Sequence, residues 1–161
     1  MIFSSVALAT LTAFAPAPAS ATGFTVSPAV IAAEIFGQDP VLVDWRILGG
    51  LDLNTGKAPA SLEALNGKVV KIAAFIVPLE DNMQESDEFL LVPYFGACVH
   101  TPPPPPNQMA FVKMVGRKNV KLALFDAIWL EGTLRITNYD SPYGQVGFQI
   151  DATNMTPYTG R

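Results

Sequence analysis

From Lys68 to the C-terminus the chain is built of runs that alternate apolar and polar residues with a period of two, and no other feature limits the fold so strongly. The run AIWLEGTLRIT, residues 127–137, is the clearest. Ile128, Leu130, Leu134 and Ile136 fall on one side of an extended segment, and Trp129, Glu131, Thr133 and Arg135 fall on the other. Gly132 interrupts the inward row and predicts a bend or bulge. GFQIDAT, 147–153, sets Phe148, Ile150 and Ala152 against Gln149, Asp151 and Thr153. KVVKIAAFIVPL, 68–79, is apolar on both faces apart from Lys71, as in a central strand covered from two sides. EFLLVPYF, 88–95, repeats this, with Pro93 predicting an edge or bulge, and QMAFVKMV, 108–115, follows. Five strands separated by turn signals, with little helix, predict a mainly β fold: a small five-stranded antiparallel barrel, OB-like, that is, of oligonucleotide/oligosaccharide-binding type. A β-sandwich is the alternative.

Residues 22–66 are less regular. SPAVIAAEIFGQ, 27–38, predicts a short helix with Ser27 and Pro28 as cap and first-turn residue. VLVDWRILGG, 41–50, predicts a brief strand closed by two glycines. PASLEALNGK, 59–68, predicts one or two helical turns, with Ser61 as cap and Asn66-Gly67 as the stop. The chain carries no charge before Glu34, and VALATLTAFAPAPASA, 6–21, joins an apolar core to small residues ending in Ala19-Ser20-Ala21. This predicts a secretory leader cut after Ala21, although no Lys or Arg stands near Met1. Pro16 and Pro18 interrupt that run, and Lys71, Glu80 and Asp126 break the later ones, so no membrane span is expected in the mature chain. The expected organisation is a leader over 1–21, an extension with short helices packing on the barrel over 22–66, and a barrel domain over 67–161.

Half of the 161 residues are apolar and 15% are charged, a globular composition rather than a disordered one. Ten basic against fourteen acidic residues leave a net charge of -4. Counterion release from phosphates therefore cannot drive binding, and nucleic acid is not an expected partner. A single cysteine, Cys98, excludes an internal disulfide. An unpaired thiol in an exported protein needs another role: metal ligand, intermolecular link, reactive group or buried hydrophobe.

The sole histidine, His100, stands two residues from Cys98. In extended chain such residues project from one face with backbones roughly 6 to 7 Å apart, so their side chains can converge on one ion. Thiolate and imidazole are good ligands for zinc or copper, yet a closed structural zinc site takes four protein ligands. The others would be carboxylates, Met109 or Met114, water, or the same pair from a second protomer across a twofold axis. Two readings compete: a structural pair, with Cys98 buried and His100 bonded to the loop backbone, and a Cys98 thiolate activated by His100. The second lacks the rest of a hydrolase, since no second histidine and no Gly-x-Ser-x-Gly elbow is present.

Pro102, Pro103, Pro104, Pro105 and Pro106 follow at once. They remove backbone donors and favour a polyproline II rod of roughly 15 Å. Such a rod loses little entropy on ordering and cannot join the middle of a sheet, so 96–106 is predicted to be an ordered loop at the barrel rim. Asn107 and Gln108 are expected to cap the loop where the next strand begins, with ligand contact as the alternative. The acidic stretch PLEDNMQESDEF, 78–89, lacks the EF-hand spacing for calcium and is expected to be a solvated hairpin tip. Arg117, Lys118 and Lys121 are expected on an exposed turn. Trp45 and Trp129 are expected in the core or at the rim, with Trp129 packing against the loop or the N-terminal segment.

Several segments together resemble a bacterial family. They are W-x-x-L at Trp45–Leu48, L-x-G-K-x-V-x-I at Leu65–Ile72, VPLE at Val77–Glu80, FLLVPYFGAC-x-H-x-PPPPPNQ at Phe89–Gln108, and W-x-EG-x-L at Trp129–Leu134. The family is the one catalogued as domain of unknown function 3299. Ala74-Phe75 stands where it usually has a Gly-aromatic pair, and Val99 where it has isoleucine. The resemblance maps the family's Cys and His onto Cys98 and His100, and its proline and amide run onto Pro102–Gln108. It implies an exported protein or lipoprotein of Gram-negative bacteria, some members being encoded beside ABC-transporter components in clusters linked to metal uptake. It carries no reaction. With no lipobox cysteine, a soluble periplasmic form is expected.

The expected function is thus that of a non-enzymatic periplasmic accessory protein, binding zinc or copper through Cys98 and His100. Its expected partners are ABC-transporter components or a second copy of itself. The competing classes are an interaction module whose proline rod docks onto a partner's aromatic groove, and a thiol-dependent enzyme.

Overall fold

The computed structural model describes residues 39–97, 103–141 and 144–160, with the backbone alone over 138–141. The expected leader and the helix over 27–38 lie outside the described residues, as do Cys98, His100 and Pro102. Strand β1 (Val41–Val43) leads into a helical turn, Trp45–Leu48, and a second turn spans Ala60–Glu63. Then come β2 (Val69–Val77), β3 (Glu85–Ser86), β4 (Glu88–Val92), a 3-10 turn at Pro106–Gln108, β5 (Ala110–Met114), β6 (Val120–Lys121), β7 (Ala127–Ser141) and β8 (Gly144–Pro157).

The fold is mainly β, and its main sheet is mixed, with six strands in the order β1-β2-β4-β5-β8-β7 and a further pairing of β2 with β7. Strands β3 and β6 form a separate small sheet. The wholly antiparallel arrangement expected from the sequence is corrected in two places: β1 pairs parallel with β2, and β5 pairs parallel with β8. Parity explains the second. The pairings β2–β4, β4–β5, β5–β8, β8–β7 and β7–β2 form a cycle of five, and an odd cycle cannot be antiparallel at every step. Lying two antiparallel steps from β2 on opposite sides, β5 and β8 necessarily run the same way.

The predicted alternation holds on β7 and β8. Ile128, Leu130, Leu134, Phe148, Ile150 and Ala152 are buried, while Trp129, Glu131, Thr133, Gln149 and Asp151 are half-buried and Arg135 and Thr153 exposed. Register slips between Glu131 and Gly132, where an irregularity was expected. A Cβ on Gly132 would sit 2.6 Å from the Asp151 carbonyl oxygen and 2.7 Å from the Ala152 Cα, so only glycine lets the two backbones approach there.

Strand β2 alternates more than its composition suggests: Val70, Ile72, Ala74 and Ile76 are buried, but Val69, Lys71, Ala73 and Phe75 are only half-buried. Strand β4 is covered on both faces. Phe89 and Leu91 join the main core, whereas Leu90 and Val92 join a second, smaller one with Val77, Ala97, Met109, Phe111 and Val146.

The N-terminal elements also depart from expectation. Only Val41–Val43 of the 41–50 run is strand, because the Asp44 carboxylate accepts from the Arg46 and Ile47 backbone N–H groups and starts a helical turn. Ser61 lies inside its helical turn, and Pro59 occupies the cap position without a side-chain bond. The helical turn also stops earlier than expected, at Glu63 with Ala64 as its C-cap, and Gly67, with φ +77 in the left-handed region, closes the turn that follows. Asn66 Oδ1 accepts from the Ile136 backbone N–H at 3.1 Å, which ties that turn to β7.

Candidate functional site

Strand β4 stops at Val92 because Pro93 cannot donate to the ladder. Tyr94 and Phe95 follow, 54% and 73% exposed, and Phe95 rests on Phe125 and Phe75 at ring distances of 5.0 and 6.2 Å. Gly96 turns the chain at φ +82, and Ala97 is buried in the smaller core. The chain is therefore pinned by an apolar contact immediately before Cys98.

It is pinned again after the prolines. Pro103 and Pro105 are exposed while Pro104 is buried. Pro105 has the polyproline II angles φ -62 and ψ 154, but Pro106 already opens the 3-10 turn, so the rod ends one residue earlier than predicted. Proline suits that first position because its missing N–H would have had no partner within the turn.

Asn107 and Gln108 hold the turn in place through contacts far along the chain. Asn107 Nδ2 donates to the carbonyls of Gly49 at 3.1 Å and Leu51 at 3.0 Å, and Gln108 Nε2 donates to that of Trp45 at 3.3 Å. Their amides thus fasten the loop to the segment 45–51. Two glycines leave room for this: a Cβ on Gly49 would lie 2.7 Å from Gln108 Nε2, and one on Gly147 would lie 2.9 Å from both the Pro106 carbonyl oxygen and Leu51 Cδ2. Trp45 completes the attachment, its Nε1 donating to the Ala73 carbonyl of β2 at 2.9 Å.

Of the thioethers considered as further ligands, Met109 belongs to the smaller core with Ala97, and Met114 belongs to the main core. They do not meet. Among the described residues no three His, Cys, Asp or Glu side chains cluster closely enough to hold an ion.

The other charged segments are matched to one another. Glu85 faces Lys121 across the β3–β6 pair, and Glu88 and Lys113 form an ion pair at 2.7 Å, so the acidic and basic turns adjoin instead of forming separate features. The Glu88 carboxylate raises the Lys113 pKa, mainly through that hydrogen bond. Trp129 lies on the outer face, 5.3 Å from the Tyr158 ring, with Lys71 Nζ 5.6 Å from its centroid. Its ring and cation neighbours among the described residues are thus in the C-terminal segment and β2.

One feature had no sequence signal beyond a turn-forming composition. A cleft of about 620 Å³ opens between the loop 51–56 and the β7–β8 hairpin, with Pro106 among its lining.

The model of the family described as protein of unknown function (DUF3299) matches residues 54–157. The chain belongs to the DUF3299 family. Among solved structures, a DUF3299 family protein from Pseudomonas aeruginosa PAO1 is 31% identical, with a TM-score of 0.58 and a match covering 77% of this chain and 99% of that one. No curated protein matches. The family match begins after the segment 45–51, so the carbonyls that receive the Asn107 and Gln108 amides lie just outside it. Among the described residues, no helix is long and apolar enough to cross a membrane.

Proposed function

We propose that this DUF3299 protein is an exported, periplasmic, non-enzymatic accessory protein that binds a transition metal, zinc or copper, through Cys98 and His100 and serves ABC-type transport. The observation that carries the reading is the pinning of the loop at both ends, by buried Ala97 on one side and by Pro104, Asn107 and Gln108 on the other. Five residues, 98–102, lie between the fixed ends. A tethered segment loses less freedom on binding an ion than a free one, which favours affinity. Thiolate and imidazole suit zinc and copper, and Met109, which shares the smaller core with Ala97, offers a further soft donor. The set of four is completed by Met109 with water or by Cys98 and His100 of a second copy. We read the cycle of five strand pairings as a small OB-like barrel with this loop at its rim; that the cycle holds only one parallel pair, β5 with β8, supports that reading.

Metal analysis of protein purified without chelator tests the metal reading. Wild type is expected to hold zinc or copper, and Cys98→Ser and His100→Ala to lose it; negligible and equal metal in all three rejects it.

An interaction module is the second reading. The exposure of Pro103 and Pro105, and of Tyr94 and Phe95 earlier in the chain, favours it. Replacing both prolines with alanine would then abolish capture of the partner while leaving metal content unchanged.

A further inference from the structure

The cleft between the loop 51–56 and the β7–β8 hairpin has walls set by specific local structure. On one side the loop closes on itself: the Asp52 carbonyl accepts from the Gly56 N–H at 2.7 Å, and Asp52 N–H donates to the Lys57 carbonyl at 3.0 Å. The Asp52 carboxylate is also spent internally, Oδ1 accepting from the backbone N–H groups of Asn54 at 2.8 Å and Thr55 at 3.2 Å. On the other side Ile136 pairs with Phe148 and Tyr139 with Val146, so residues 137 and 138 of β7 stand opposite Gly147 alone. Such a bulge bends the strand and re-aims its side chains. Gly147 in turn admits Leu51 and the Pro106 carbonyl against β8, a contact that any Cβ would block.

The lining has a consistent chemistry. Leu51, Pro106 and Ile136 supply apolar surface, and the side chains of Asn54, Thr55, Thr137 and Gln145 supply neutral donors and acceptors. Among the described lining residues the one charged is Asp52, already bonded within its loop, and none is a cation that would meet a phosphate or carboxylate. Among the described lining residues an anion would meet only the Asp52 charge, and no aromatic ring is there to hold an organic cation. A volume of about 620 Å³ is that of a small-ligand site. We infer that this cleft binds a neutral, hydroxyl-bearing molecule of mono- or disaccharide size, its hydroxyls meeting the amides and hydroxyls while its CH faces lie on Leu51, Pro106 and Ile136. This inference is independent of the metal reading, since it draws on neither Cys98 nor His100.

The test is amide chemical-shift titration of the full chain with trehalose, maltose and cellobiose as probes, and with glucose 6-phosphate and spermidine as charged comparators. At least one neutral disaccharide is expected to give saturable shifts at Asn54, Thr55 and Gln145 with a Kd of roughly 1 mM, and both comparators weaker ones. Gln145→Ala, at an exposed position, is expected to weaken binding about fivefold, and Thr137→Val by a similar factor. Cys98→Ser is expected to leave binding unchanged. Absence of saturable shifts at the cleft with all three disaccharides overturns the inference, as does preference for a charged comparator. Shifts that Gln145→Ala does not weaken overturn it too.

Discussion

Substitution of Asn107 probes the attachment on which the loop's geometry rests. Its Nδ2 carries two hydrogens, and both are used, toward Gly49 O at 3.1 Å and Leu51 O at 3.0 Å. Asn107→Ala deletes both donors and leaves two carbonyls without their partner. With each lost bond costing about 1 kcal/mol net, the expected destabilisation is about 2 kcal/mol, lowered if water reaches the half-buried Gly49 carbonyl. For a domain of this size that corresponds to a Tm lower by roughly 6 to 10 °C. Asn107→Asp is expected to be worse, because it sets a carboxylate against two carbonyl oxygens and costs roughly 3 kcal/mol. Urea denaturation of wild type and both variants gives the ranking. Native-state hydrogen exchange supplies the local readout: the Gln108 N–H, bonded to Pro105 O at 2.8 Å, should exchange faster in both variants than in wild type. If Asn107→Ala stays within about 0.5 kcal/mol of wild type and Asn107→Asp is no worse, the amide is not what fastens the loop, and the reasoning fails.

Two further perturbations test the sheet itself. Gly132→Ala is expected to cost about 1–3 kcal/mol in urea denaturation, because the new Cβ meets backbone atoms at 2.6 and 2.7 Å that cannot rotate away; a loss below about 0.5 kcal/mol would show the register slip to be wrongly placed. Glu131 accepts from Lys71 Nζ at 2.8 Å and from Asn154 at 3.3 Å, which holds its pKa below the ordinary 4.5. A depressed folded-state value means that the contribution is complete above the unfolded pKa and disappears as pH falls through the folded one. Glu131→Gln should therefore flatten stability against pH below about 4.5, with a difference under about 1 kcal/mol because the pair is partly solvated; identical acid limbs would refute this.

Much of the β architecture could be read locally, since a strand with one buried face repeats every two residues and needs no knowledge of its neighbours. Hence the inward rows of β7 and β8, the irregularity at Gly132 and the loop position of the prolines were legible. Other features depend on what a residue meets. Ser61 has the chemistry of a cap, yet Pro59 occupies that position. The Asp-Trp-Arg-Ile-Leu stretch read as strand because apolar side chains outnumber the others, until the Asp44 carboxylate is seen capping a helical turn.

By itself the sequence determined that this chain folds as mainly β structure, that its thiol and imidazole sit two residues apart, and that a stiff imino-acid run follows them. These are properties of composition, spacing and covalent geometry, present before any folding. Only the tertiary structure decided that β5 and β8 run parallel, because direction follows from the whole cycle of pairings. Likewise it alone decided that the Asn107 amide reaches back 58 and 56 residues to its carbonyls and that Gly147 admits Leu51. A hydrogen bond or a close approach between distant segments has no local period to announce it, and exists only once the strands have been brought side by side.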